Sequence, residues 1–136
     1  MSLDLAKTNL AEAADAGYEF EIKLPGSGEG TGAFITVRGE MSKTVKAYAR
    51  QKFREFQLRE QQAKRRGKQS DELTLEEAEE MAVEAAVIRV ISWRGITENG
   101  KEVTFSKETA EKIFTEHSWI REQVMEESNQ LLNFRC

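Results

Sequence analysis

Four glycines at alternate positions, Gly26, Gly28, Gly30 and Gly32, are the first residues whose spacing suggests chemistry. Glycine-rich loops cradle phosphate when their amides converge at a helix start. Here the G-K-[ST] ending is missing and a strand pattern follows, so the stretch reads as the tip of a hairpin. His117 is the only histidine, with no second histidine or cysteine at metal-ligand spacing. Its neighbours Glu116 and Ser118 supply the types of a catalytic triad, but adjacent residues do not aim at one another, so it reads as a helix junction. The carboxylates from Asp71 to Glu84 have the spacing of a solvated helix start rather than of an acid–base pair. Lys64, Arg65, Arg66 and Lys68 form a compact basic cluster without interleaved aromatics. That pattern fits pairing with the adjacent acidic run, within a chain or between copies, better than a nucleic-acid track. Trp93 and Trp119 are the largest apolar side chains: Trp93 is expected in the core, and Trp119 at either a core or an interface. No residue set supports catalysis, a cofactor or a metal, and the expectation is a protein that is not an enzyme.

The elements that must hold these residues follow from periodicity. In 136 residues, with 39% hydrophobic and 32% charged content, one domain (1–136) is expected. A net charge of −4 and a pI near 5.2 argue against a general nucleic-acid binder. The single Cys136 excludes an internal disulfide. The absence of a long apolar run or a signal-like start predicts no membrane association and a cytosolic location.

Thr74 to Trp93 reads as a core helix opened by a capping box, Thr74 with Glu77, and buried towards its end. Ser2 to Ala16 reads as a short helix with Leu3, Ala6 and Leu10 on one side. Tyr18 to Leu24 alternates as a half-buried strand, and Ala33 to Val37 is its hairpin partner. A lone hairpin is marginal, so it must lean on a helix or on another subunit's strand. Ser42 caps a long helix to about Arg66, with Val45, Ala49, Phe53 and Phe56 as its apolar face. Residues 67–73 read as a polar link, and 74–136 as a helical core. Asn99-Gly100 marks a tight turn, Ser106 caps a short helix with Ala110, Ile113 and Phe114 inward, and Ser118 caps a last helix with Ile120, Val124, Leu131 and Leu132 inward. The expected class is α+β: mainly helical, with an N-terminal β-hairpin packed on a helical core. Self-association through the hairpin and the long helix is expected.

The stretch VISWRGITENGKEVTFSKETAEKIFTEHSWI, from Val90 to Ile120, resembles the tail assembly chaperones of long-tailed bacteriophages (siphophages), in their short form. The matching positions are Trp93, Gly95, Gly100, Val103, Phe105, Ser106, Ile113 and Phe114. Thr104, His117 and Ser118 stand where the family often has proline. The resemblance implies a homo-oligomeric binding protein of the host cytoplasm, absent from the mature virion. Such a protein keeps the tape-measure protein soluble, and a longer form made by programmed frameshifting recruits the tail-tube protein. The other reading is a minor structural or adaptor subunit of the tail. A chain that continues in a second frame implies that Asn133 to Cys136 is exposed and dispensable for folding.

Overall fold

The computed structural model describes residues 2–6, 8–67 and 74–134. Its elements run α1 (Leu10–Ala16), β1 (Tyr18–Lys23), β2 (Gly30–Val37), α2 (Lys43–Arg65), α3 (Leu75–Arg89), β3 (Val90–Arg94), β4 (Thr97–Glu98), β5 (Lys101–Glu102), α4 (Lys107–Glu116), α5 (Ser118–Ser128) and a 3-10 turn (Leu131–Asn133). The α+β class is as expected, with the hairpin β1–β2 antiparallel from Tyr18–Val37 to Lys23–Gly30.

The expected helix from Thr74 to Trp93 is instead a helix followed by a strand. Thr74 does accept from the Glu77 amide. The helix stops at Arg89, and β3 pairs antiparallel with β2, completing a sheet of order β1-β2-β3. Two physical causes act together. Val90 and Ile91 are β-branched and favour the pleated surface. The Arg38 guanidinium donates to the carbonyls of Ile88 and Val90 (2.9 and 3.1 Å), and the Arg38 amide donates to the Arg89 carbonyl. These bonds satisfy carbonyls that the helix end leaves open. The hairpin therefore finds its third strand within its own chain.

Ile91 is a bulge: Val37 pairs with Val90, and Thr36 with Ser92. The extra residue changes the parity of the strand. Val90 and Trp93 thus both share the face of Val37 and Ile35, with Ile35 opposite Trp93. That face, with Phe20 and Ile22 from β1, packs with Val83 and Ala86 of α3, Ala110 and Phe114 of α4, and Ile120 and Val124 of α5.

Several expected boundaries move. The first helix covers only Leu10–Ala16, capped by Asn9, and Leu3, Ala6 and Leu10 are exposed rather than packed. Ser42 caps α2 as expected, and its buried hydroxyl also donates to the Asp15 carboxylate at 2.6 Å, tying α1 to α2. The expected apolar face of α2 is largely uncovered: Val45 is buried, but Ala49 and Phe53 are exposed and Phe56 is only half-buried. Ser118 is the first residue of α5 rather than its cap; that position falls to His117. Leu131 and Leu132 are exposed, whereas Ile120 and Val124 are buried.

Phe134 overturns the expected free end. It is buried, its ring meets Tyr18 edge-on at 6.2 Å, and it lies against Ala14 and Gly39. A Cβ on Gly39 would sit 2.9 Å from both Ala14 Cβ and Phe134 Cδ2, so the absence of a side chain there admits the ring. Most of the expected polar link, with Lys68 and Asp71, and the residues 135–136 lie outside the described residues.

A candidate partner-binding cleft

Beyond β3 the chain folds back tightly. Gly95 has φ +79°, and a Cβ there would stand 2.7 Å from the Gly32 carbonyl oxygen and 3.1 Å from Ala33 Cα. Both contacts are backbone, so neither yields easily. Gly95→Ala is expected to cost roughly 2 kcal/mol or more through left-handed strain plus the clash; a thermal melt within error of the parent would show that the turn reforms elsewhere. Asn99 and Gly100 both have positive φ, the primed-turn geometry of a two-residue hairpin loop between β4 and β5.

The Val103 amide donates to the Ile96 carbonyl at 2.8 Å, closing that hairpin, and Trp93 Nε1 donates to the Val103 carbonyl at 2.7 Å. The indole is then flanked edge-on by Phe105 at 5.0 Å and Phe114 at 6.5 Å. Trp93 is half-buried, not fully enclosed, and α2 contributes nothing to the core cluster it joins. Trp93 packs instead against the segment that returns from the β4–β5 hairpin and against α4. Ser106 and Thr109 form a reciprocal capping box that starts α4. His117 ends α4, its amide donating to the Ile113 carbonyl, and its own carbonyl accepts from Ile120 as α5 begins. It is exposed, with its ring 6.3 Å from Trp119, and acts as the junction its position suggested.

These elements surround a cleft of about 220 Å³. Its apolar wall comes from Ile96, Val103, Ile113, Trp119 and Ile120, with Thr97, Thr109 and His117 among the polar residues that also line it. Lys112 and Glu98 stand at the rim 3.9 Å apart, both exposed, a pair that contributes little to stability. The volume is below the roughly 300–1,000 Å³ of small-molecule pockets and above the ~150 Å³ of an engineered cavity that takes benzene. It suits one or two apolar side chains of a partner. Of the sequence-identified residues, Val103 and Ile113 line it, and Trp93 braces it through the Val103 carbonyl, with Phe105 and Phe114 against the indole. Trp119 joins them as part of the cleft wall. Gly95, Gly100 and Ser106 shape the turns that bring the walls together. Ile96, Lys112 and Glu116 also line it; no local period marks Ile96, whose place follows from the turn at Gly95.

Lys64, Arg65 and Arg66 lie far along the chain from this cleft, exposed at the end of α2. Between α2 and α3 runs a second, more polar groove of about 320 Å³. Lys52 bridges Glu84 (2.9 Å) and Glu55 (3.3 Å), and Arg59 pairs with Glu77 (3.0 Å). The Glu84 carboxylate, by hydrogen bonding, holds Lys52 above the usual lysine range. Burial, with Glu84 nearby, pushes the Tyr48 phenol up. Arg89 is shifted down by burial, and its Nε has no hydrogen-bond partner among the described residues.

Among the described residues no three His, Cys, Asp or Glu side chains converge as metal ligands, and no helix is long and apolar enough to cross a membrane. A family model described as YdaY prophage protein matches residues 37–136, which include the whole cleft. No curated protein and no solved structure matches the chain.

Proposed function

Because the chain belongs to the family described as YdaY prophage protein, and is thus phage-related, we propose that it is a tail assembly chaperone. In this reading it is a binding protein without catalysis. It covers apolar helical stripes of the tape-measure protein in the host cytoplasm and is left out of the mature virion. A longer frameshifted form recruits tail-tube subunits.

The observation that carries the proposal is a largely apolar cleft within the segment that resembles such chaperones, lined by Val103 and Ile113 of the resembling residues and braced by Trp93 through the Val103 carbonyl. A tape-measure helix exposes side chains at i, i+3, i+4 and i+7 that aggregate unless covered. A cleft with room for one or two such side chains, rimmed by charge, meets that need.

Co-expression with the tape-measure protein encoded by the same prophage tests this reading. Soluble tape-measure protein should rise with the chaperone present and fall with Ile96→Asp, whose melting temperature must first be matched to the parent. Equal solubility with and without the parent chain would overturn the proposal. Mass spectrometry of purified particles should not find the chain; stoichiometric presence there would make it a structural or adaptor subunit of the tail. The frameshift is tested on the coding sequence, which must carry a slippery heptamer and an overlapping open frame.

A further inference from the structure

Helices α2 and α3 form an antiparallel hairpin, fixed in register by the ion pairs Lys52–Glu84 and Arg59–Glu77. Much of this hairpin plays no part in the core. None of the core cluster, nor any apolar side chain packed against it, comes from the described residues between 46 and 82. In proteins, long helices draw most of their stability from a packed face. The 23-residue α2, about 35 Å long, buries only Val45. Exposed instead are Phe53 (63%), Leu58 (56%) and, on α3, Leu75 (86%). The groove between the helices has half-buried Phe56 and Met81 on its floor.

Charge divides the hairpin by helix. α2 carries eight basic residues against Glu55 and Glu60, a net +6 in a chain whose total is −4. The remaining residues therefore sum to −10. Lys43, Lys46, Arg50, Arg54, Lys64 and Arg65 are exposed and make no ion pair among the described residues. At the start of α3, Glu76, Glu79 and Glu80 are likewise exposed and unpaired.

We propose that this hairpin is half of a helical bundle completed by a second copy of this chain, with α2 of each copy lying over α3 of the other. Two-fold symmetry makes such an interface self-complementary. Charge selects its arrangement. α2 against α2 would oppose two +6 helices, and α3 against α3 would oppose two acidic starts. Only the crossed pairing sets Arg54, Lys64 and Arg65 of one copy near Glu76, Glu79 and Glu80 of the other. Antiparallel helices pack in bundles at small crossing angles, with side chains of one pair entering grooves of the other. The open α2–α3 groove is such a recess, and Phe53, Leu58 and Leu75 are the apolar side chains that a second copy would cover. The surface is distinct from the cleft proposed for the tape-measure protein, so dimerisation stands or falls without that partner.

Sedimentation velocity on the full chain is the test. The parent should dimerise at micromolar concentration. Raising NaCl from about 0.1 to 1 M, which shortens the Debye length from about 10 to 3 Å, should weaken the dimer. Arg54→Glu with Arg65→Glu should weaken it by at least about tenfold, at unchanged helical content and melting of the monomer. Adding Glu76→Lys and Glu79→Lys to the same chain reverses both sides and should restore the dimer. Leu58→Ser with Leu75→Ser should weaken it independently of salt. A parent that stays monomeric at high micromolar concentration, whether or not it binds a DNA duplex through its cations, overturns the proposal. So does a dimer indifferent to the charge reversals, or one the double reversal fails to rescue.

Discussion

Replacing Phe134 by alanine should destabilise the fold by about 3–5 kcal/mol, the range for deleting a buried aromatic. The ring is 4% exposed and closes one end of the core between Tyr18, Ala14 and Gly39. The surroundings are poorly able to relax. Ala14 and Gly39 are held by the Gly39 amide donating to the Ala14 carbonyl at 3.0 Å, and the Ser128 hydroxyl donates to the Arg38 carbonyl at 2.7 Å. A cavity should therefore persist rather than collapse. For a chain of this size the loss corresponds to a fall of roughly 10–20 °C in Tm. Ending the chain at Asn133 should give the same fall. Thermal unfolding followed by circular dichroism decides it; a drop of less than ~1 kcal/mol would mean that Phe134 only rests on the core. Leu132→Ala, two residues earlier and 69% exposed, is the control and should stay within about 0.5 kcal/mol of the parent.

Trp93→Ala should be comparably severe, about 3 kcal/mol or more, and should also disable the cleft. The indole does two separable things. Its ring fills the space between Phe105 and Phe114, and its Nε1 donates to the Val103 carbonyl, where the β4–β5 hairpin returns. Trp93→Phe keeps much of the ring and removes the donor. It should cost about 1–2 kcal/mol, the range for losing a hydrogen bond to a part-buried carbonyl. The two variants should differ in a binding assay as well as in stability. With alanine the Val103 and Ile96 wall loses its support, so the tape-measure solubilisation proposed for this chain should vanish even below the unfolding temperature. With phenylalanine it should be reduced and recover on cooling. Equal stability of Trp93→Ala and the parent would place the indole outside the core and remove the physical basis for reading Val90 to Ile120 as one unit.

The hairpin β1–β2, the turn at Asn99-Gly100, and the caps Ser42, Thr74 and Ser106 were legible in the sequence. Each is a local agreement. Alternation decides a strand's buried face, two adjacent residues that tolerate positive φ decide a turn, and a hydroxyl three residues before a helix amide decides a start. The inward set Ala110, Phe114, Ile120 and Val124 was legible for the same reason, because a 3.6-residue period marks one side of a helix whatever it packs against.

What the sequence could not settle were choices between two locally acceptable states. Val90 to Trp93 reads as the end of an apolar helix despite the β-branched Val90 and Ile91, since a short apolar run carries no period of its own. Only the open edge of β2, and Arg38 arriving from fifty residues away to take the carbonyls of Ile88 and Val90, decided for the strand. That one switch places the Ile91 bulge, turns Trp93 towards Phe105 and Phe114, and so creates the cleft. Phe134 and Leu132 are likewise indistinguishable by hydrophobicity, yet one is buried and the other is not. The difference is the space that Gly39 leaves beside Ala14, a matter of which distant backbones meet. The same holds for α2: its apolar residues are plain in the sequence, but that the core forms without them is decided by α3 turning into the sheet and leaving the long helix on its outer side.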